Sequence, residues 1–311
     1  MQNIICIAGP TASGKTALAV ALAKQLNGEV ISCDSMQIYR GMDIGTAKPT
    51  TEEIDGIPHH MLDVADPTED FSVSRYCEMA SSILDDILRR NKTAIIAGGT
   101  GLYMDALIRG NNFAPYPSTG MREKLEQEAD RDGMESMLER LRAIDPESAS
   151  KLHIADRKRI IRALEVYYET GETITAHNQK TQQIPPKYNA VWFGLCDADR
   201  AALYHRIDMR VDEMLKQGLL QEIRNLLDRG ISQKCTAMQA IGYKEFIDAL
   251  DGKCSIDSAT DSVKQASRHY AKRQLTWFRR NPQMHWLLRD EGEKTPEILG
   301  KALQVLTNFD T

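Results

Sequence analysis

None of the six cysteines, at positions 6, 33, 77, 196, 235 and 254, stands in a C-x-x-C pair. Cys6, Cys33 and Cys196 lie inside apolar, strand-like runs, so the reading is buried free thiols in a reducing compartment. Glycine (20) and proline (11) are sparse among 311 residues and follow no period, which excludes collagen-like and low-complexity chains. No apolar run free of Gly and Pro approaches the ~20 residues that cross a bilayer. Residues 4–14 resemble the apolar part of a signal peptide, but no basic stretch precedes them and Lys15 interrupts them. A cytoplasmic protein without a membrane partner is expected. Nor is there an excess of positive charge: 39 Lys and Arg against 44 Asp and Glu give a net charge of −5. That argues against a protein that coats nucleic acid, but not against one that grips RNA through a local patch.

What is present is an ordinary globular composition, 42% hydrophobic and 27% charged, rich enough to bury a large core. The length suits two domains, or one large α/β domain with an insertion. Short apolar runs at 3–8, 29–32, 93–97 and 190–195 read as buried strands. A helix-periodic stretch at 74–90 separates the second from the third, and 282–288 offers a last strand. Buried strands alternating with helices predict a parallel sheet flanked by helices on both faces. The spacing breaks between the third and fourth strands. There 121–170 is helical and charged, bracketed by Pro115, Pro117, Pro185 and Pro186. We therefore expect a core of 1–111 and 188–311 and a mostly helical inserted domain at 112–187. Further helices are expected at 199–228, 237–250 and 257–280.

The turn after the first strand reads Gly9-Pro10-Thr11-Ala12-Ser13-Gly14-Lys15-Thr16, matching G-x-x-x-x-G-K-[ST] at every fixed position. A strand before and a helix after supply the context, so the fold expected is P-loop NTPase-like. The glycines let successive N–H groups point inward, and the helix N-terminus adds its partial positive charge. Lys15 brings a full charge and Thr16 a hydroxyl suited to Mg²⁺. This loop predicts a site for a di- or triphosphate, without saying what the phosphates are attached to.

Strand ends line the ligand crevice in a parallel sheet. Asp34 ends the second strand and Thr100 follows the third, so both are expected beside the loop. Asp34 could bind metal, act as a base, or cap a following helix. Ser35, Gln37 and Tyr39 fit contact with a nucleobase. Arg206 and Arg210 are spaced i and i+4 on one helix face. They could pair with Asp208, Asp212 or Glu213, or clamp the phosphates opposite Lys15. Residues 264–280 contain no acid and carry Lys264, Arg268, Lys272, Arg273, Arg279 and Arg280. A second basic cluster spans Arg157, Lys158, Arg159 and Arg162. Both are read as grips on an RNA backbone, against the alternative of solvated faces.

These residues carry a family resemblance. GPTASGKT (9–16), DSMQIY (34–39), GMDIGTAKP (41–49), GGTGLY (98–103), RALEV (162–166), RIDMR (206–210), IGYK (241–244) and AKRQLTW (271–277) run in order along almost the whole chain. Together they resemble the bacterial tRNA dimethylallyltransferases, also called tRNA isopentenyltransferases. The resemblance implies transfer of a dimethylallyl group from dimethylallyl diphosphate, with Mg²⁺, to N6 of the adenine just 3′ of the anticodon in tRNAs reading codons that begin with U. It implies Asp34 as general base, Thr100 as a reaction-channel residue, and Thr16 and Arg210 on the diphosphate and metal side. It also implies tRNA contacts from Asp34, Ser35, Met36 and Gln37. Further contacts would come from Lys158, Arg159, Ile160, Ile161 and Arg162, and from Gln239, Ala240, Ile241, Gly242, Tyr243 and Lys244. Arg268, Lys272 and Arg273 are added from the basic helix. The expected partners are the tRNA anticodon stem-loop and dimethylallyl diphosphate, acting on a monomer. A P-loop small-molecule or nucleoside kinase shares the loop and the strand pattern. A non-catalytic RNA-binding nucleotide switch shares the loop. The kinase would need an acceptor hydroxyl site but no long acid-free basic helix near the C-terminus, and the switch gives no reason for an aspartate and a diphosphate clamp at one crevice.

Overall fold

The computed structural model describes residues 4–111, 119–290 and 292–308. The start of the expected insertion, with Pro115 and Pro117, and Asn3 of the first expected strand lie outside the described residues. The chain forms two compact units, Met1–Gly110 with Lys187–Thr311, and Asn111–Pro186.

The first unit is built on six parallel strands in the order β3-β2-β4-β1-β5-β6. They are β1 (Ile4–Ala8), β2 (Gly28–Cys33), β3 (His59–His60), β4 (Thr93–Gly98), β5 (Val191–Asp197) and β6 (Met284–Arg289). Every residue of β1, β2 and β5 is buried, as a sheet covered on both faces requires. Alternation sends Ile5, Ile7, Val30, Ile95, Phe193 and Leu195 into one core with α1 (Lys15–Gln25) and α13 (Thr295–Thr307). On α3 (Val73–Arg89) and α4 (Gly101–Arg109), Tyr76 and Tyr103 stack 4.5 Å apart. The Tyr76 hydroxyl donates to the Ser32 carbonyl at 2.9 Å. A one-turn α2 (Thr51–Ile54) precedes the two-residue edge strand β3.

The expected stretch 199–228 resolves into α9 (Arg200–Lys216) and α10 (Leu219–Asp228). The expected helix 237–250 is shorter than its pattern. A 3-10 turn, Ala237–Gln239, leads through Gly242 at φ +93° to α11 (Lys244–Leu250). α12 spans Ile256–Phe278 and packs on α9 through Leu203, Ile207, Ala271 and Leu275.

The second unit contains α5 (Met121–Ile144, interrupted at Gly133), α6 (Pro146–Ser150), α7 (Arg157–Thr170) and α8 (Ile174–Gln183). Its own core includes Leu125, Met137, Leu141, Ile160, Ile161 and Leu164. Asp145 ties its turns together, accepting from Ser148 N at 3.0 Å, Thr175 N at 3.1 Å and Thr175 Oγ1 at 2.7 Å.

Register is what positions the site. Ala8 pairs with both Gly98 and Gly194, and Gly98 pairs with Cys33. Three strands, β1, β2 and β4, therefore end at one level, while β5, paired alongside at Gly194, runs on to Asp197. The phosphate loop leaving β1 faces Asp34 leaving β2, with β4 between them. Two strand spacings separate the two segments by about 10 Å.

At the other end of the sheet, the buried Glu29 carboxylate accepts from Arg90 Nη2 at 2.8 Å, Lys92 Nζ at 2.7 Å and His60 Nε2 at 2.8 Å. The Arg90 hydrogen bond is the strongest influence on it. Burial opposes that, Lys92 and His60 add to it, and the carboxyl is held well below the usual carboxylate range. A depressed folded pKa means stability that is present above the unfolded value, about 4.3, and lost as pH falls through the folded one. Glu29→Gln should lower the melting temperature at pH 7 by about 5 °C, the equivalent of roughly 2 kcal/mol of charge-assisted hydrogen bonding. Thermal melts across a pH series should show the gap to wild type closing below about pH 4. A gap independent of pH would show that the cations do not act through charge.

Candidate active site

A cavity of about 960 Å³ lies wholly within the first unit, at the C-terminal strand ends. Its first wall is the phosphate loop, where Thr11, Ala12, Ser13, Gly14, Lys15 and Thr16 all line the space. Gly9 and Pro10 stand behind them, and the Pro10 carbonyl accepts from Lys15 Nζ at 2.6 Å. Three side chains from elsewhere hold the loop. Gln274 Oε1 accepts from Thr11 N at 3.0 Å. Arg206 Nε donates to the Ala12 carbonyl at 3.1 Å. Arg210 Nη1 donates to Thr11 Oγ1 at 3.3 Å. Arg206 is itself ion-paired with the buried Asp197. The shared face of α9 thus meets the loop, and the acids Asp208 and Asp212 are used elsewhere.

Positive charge is crowded here. Burial, and next the like charge of Arg210, push Lys15 down to about 8, with Asp34 acting in the opposite sense. Burial also lowers Arg210, again opposed by Asp34. Arg289, at the end of β6, lines the same wall, and its Nε is buried without a hydrogen-bond partner among the described residues. A polyanion bound in this cavity would relieve all three.

Asp34, Ser35, Met36 and Gln37 form the second wall. No helix follows Asp34. Instead its Oδ1 accepts from Met36 N at 2.8 Å and Gln37 N at 3.3 Å, an Asx-type turn. Its other oxygen has no hydrogen-bond partner among the described residues. Thr100 does not line the cavity. Its Oγ1 accepts from Ser35 N at 3.0 Å and so braces this turn. The Tyr270 side chain, in hydrogen-bond contact with Thr100, lines the cavity, and burial and then Asp34 push its hydroxyl up to about 12. Between the walls Gln274 acts as a strut, because its Nε2 donates to the Gly99 carbonyl at 2.9 Å. The Gly-Gly-Thr-Gly run is glycine-rich for this reason. A Cβ at Gly99 would lie 2.1 Å from Gln274 Nε2, and one at Gly101 2.2 Å from the Trp277 ring.

Several residues expected to touch RNA have other work. The Gln37 amide donates to the carbonyls of Thr46 (3.3 Å) and Ala47 (3.1 Å) and accepts from Ser32 Oγ at 3.0 Å, so it is spent on the fold. Tyr39 and Tyr243 are fully buried, and Ile160 and Ile161 sit in the core of the second unit. On α7, Arg157 pairs with Glu126 and Asp130, Arg159 with Asp156, and Arg162 with Glu165, while Lys158 is exposed. On α12, Lys264 pairs with Asp212 at 2.6 Å and Arg268 with Asp208 at 2.5 Å. That stripe therefore joins α12 to α9 and is not a free basic face. Lys272 and Arg273 remain exposed, with Arg273 lying over the Tyr270 ring at the cavity rim. Gln239, Ala240, Ile241 and Gly242 also line the cavity, and Lys244 is exposed. Tyr270, Gln274 and Arg289 were not singled out in the sequence. The one signal for the first two was their place within or beside AKRQLTW.

Among the described residues no group of three or more His, Cys, Asp or Glu could hold a metal unaided. The cavity instead offers the Thr16 hydroxyl, the buried and unpartnered Ser13 Oγ, and the Asp34 carboxylate. That sparse oxygen set fits Mg²⁺, which keeps its waters and takes the rest of its ligands from phosphate.

A cavity of this kind is that of a P-loop enzyme handling a di- or triphosphate. The sequence profile described as IPP transferase matches residues 37–281. The tRNA dimethylallyltransferase of Acetivibrio thermocellus is 45% identical over 310 residues, 99% of each chain. That of Geobacillus thermodenitrificans is 49% identical over 294 residues, 94% of this chain and 92% of the other. Among solved structures, the tRNA isopentenylpyrophosphate transferase of Bacillus halodurans is 41% identical with a TM-score of 0.75, covering 100% of this chain and 97% of that one. A eukaryotic dimethylallyltransferase acting on tRNA is 30% identical with a TM-score of 0.83, covering 99% of this chain and 80% of that one. The chain belongs to the IPP transferase family.

Because Lys15 ionises near 8 in the free protein, its charge is present at pH 7 and mostly gone at pH 9. Wild-type affinity for inorganic pyrophosphate, relative to Lys15→Arg, should fall by up to about tenfold between these values. The ratio cancels the ligand's own titration. Calorimetric titration at several pH values is the measurement, and a flat ratio would remove Lys15 from the anion site.

Proposed function

We propose that this cavity joins C1 of dimethylallyl diphosphate to N6 of the adenine immediately 3′ of the anticodon, in tRNAs reading codons that begin with U, and releases diphosphate. The chain transfers a dimethylallyl group to a tRNA adenine. The observation that carries the residue roles is that the phosphate loop and Asp34 form two walls of one cavity, with one Asp34 oxygen left open. Adenine N6 is a weak nucleophile because its lone pair is delocalised, so it needs a base as its proton leaves. The open oxygen of Asp34 takes that proton as the N6–C1 bond forms. The C1–oxygen bond breaks, and negative charge collects on the departing diphosphate. Lys15, Arg210 and the loop N–H groups face that charge. Thr16 would hold Mg²⁺, which draws off leaving-group charge when bound. An anticodon-loop base is single-stranded or only stacked, so turning it into the cavity costs a few kcal/mol. Six free thiols, four of them buried, Cys235 half-buried and Cys254 exposed, support a cytoplasmic setting.

Incubation with dimethylallyl diphosphate, Mg²⁺ and unmodified tRNA, followed by mass analysis of anticodon-loop nucleosides, tests the reading. ATP turnover without tRNA would favour a kinase. In the same assay Asp34→Asn should keep the turn, since its amide oxygen can still accept from Met36 N and Gln37 N. It should nevertheless lose roughly 10²–10⁴ in single-turnover rate, the worth of a positioned base. A rate near wild type, or full rescue by raised Mg²⁺, would exclude the base role.

The surviving basic surface at the rim gives a separate expectation. Replacing Lys272 and Arg273 by Ala should weaken tRNA binding and reduce the salt slope of log K by up to about 2. Fluorescence titration over a salt series reads this, and an unchanged slope would mean that neither side chain meets a phosphate.

A further inference from the structure

Glu222 on α10 does not line the cavity, yet its carboxylate gathers four donors. Oε2 accepts from Asp43 N at 2.8 Å and Ile44 N at 2.7 Å, and Oε1 from Gly45 N at 3.1 Å and the Tyr243 hydroxyl at 2.6 Å. Three successive backbone N–H groups converging on one anion make a nest, and charge-assisted bonds are the strong kind. The loop so held lies in the GMDIGTAKP motif, has no strand or helix of its own, and contributes Gly45, Thr46 and Ala47 to the cavity wall. A Cβ on Gly45 would lie 2.5 Å from the Tyr243 ring, so loop and ring are in direct contact.

The loop is tied onward to Asp34. The carbonyls of Thr46 and Ala47 accept from the Gln37 amide, and Gln37 N donates to Asp34 Oδ1. A path of hydrogen bonds joined by short covalent links, the backbone from 45 to 46 and the Gln37 side chain, therefore runs from Glu222 through residues 43–47 and Gln37 to the turn that presents Asp34. We propose that Glu222 is a positioning residue for this reaction. It fixes the loop at 43–47, and through Gln37 it sets the carboxylate that receives the N6 proton. This rests on the reading of Asp34 given above. The phosphate loop is held independently, by Gln274, Arg206 and Arg210, so the two halves of the site should respond separately.

Glu222→Gln turns an amide NH₂ toward donors that need an acceptor. With both substrates saturating, its single-turnover rate should fall at least twentyfold, while its affinity for inorganic pyrophosphate stays within twofold of wild type. Tyr243→Phe, which leaves the three backbone bonds, should lose threefold or less. Gln37→Leu cuts the chain downstream. It should match Glu222→Gln in rate and in pyrophosphate affinity, and it carries the test alone if Glu222→Gln does not fold. The double variant should be little worse than the slower single one, because both break one path. An active wild type with an undiminished Glu222→Gln overturns the proposal. So does a loss of pyrophosphate binding in step with the rate, which marks general collapse, and so does a double variant whose losses multiply. A wild type that leaves tRNA unmodified overturns the underlying reading and the proposal together.

Discussion

The common level at which β1, β2 and β4 end is the constraint on which the site depends. Parallel pairing fixes Ala8, Cys33, Gly98 and Gly194 side by side. Whatever follows each strand must share one crevice. A slip of one residue in β2 would turn its side chains to the opposite face of the sheet, and strands buried on both faces leave little room for that. Gln274 then spans the crevice, with one end on Thr11 and the other on Gly99. It turns two adjacent loops into a single rigid floor. A buried amide with both ends satisfied suits this place, because it adds rigidity without adding charge to a wall that carries a surplus already.

That surplus explains the acids around it. Lys15, Arg206, Arg210 and Arg289 converge on the loop, and burial lowers the pKa of Lys15, Arg210 and Arg289. Asp197 neutralises Arg206 permanently, which lets that guanidinium serve as a structural brace on Ala12. Lys15 and Arg210 have no such permanent partner: Asp34 acts on both, and Glu53 on Arg210 as well. The division of labour follows. Arg206 and Arg210 both touch the loop, but Arg206 is neutralised by Asp197, and Lys15, Arg210 and Arg289 hold potential in reserve for a ligand that brings charge in and carries it out as a leaving group.

The sequence made the sheet, the phosphate loop and the placement of Asp34 readable because each rests on a local rule: buried runs of β residues, a glycine-spaced loop, a carboxylate at a strand end. The basic stripe of α12 shows where local reading stops. Lys264 and Arg268 have the spacing of a ligand-binding face, but Asp212 and Asp208, their partners, sit on another helix some 50–60 residues upstream. A helix's own composition does not reveal the helix beside it. The edge strand β3, at two residues, is too short to leave a period-2 signal. Gln37 and Tyr39 were read as hydrogen-bonders for a base, whereas the fold uses the Gln37 amide between two loops and buries the Tyr39 ring. Polar side chains near a site serve its scaffold as readily as its substrate, and only their partners tell which.

Several motifs of this chain make sense as complementary halves of contacts and not as sites in their own right. GMDIGTAKP supplies a run of N–H groups with no acceptor of its own, and Glu222 supplies the anion. IGYK supplies the tyrosine that closes the same carboxylate and packs on Gly45. GGTG supplies two positions without side chains, and AKRQLTW the Gln and Trp that occupy the space. Each half alone would carry a cost, as unsatisfied amides, an unpaired carboxylate, glycine's lost backbone entropy, or a large side chain without a pocket. Joined, they leave one Asp34 oxygen, Ser13 Oγ and Arg289 Nε as polar atoms of cavity-lining residues without hydrogen-bond partners among the described residues, and a charged substrate and its acceptor would bring partners to those walls.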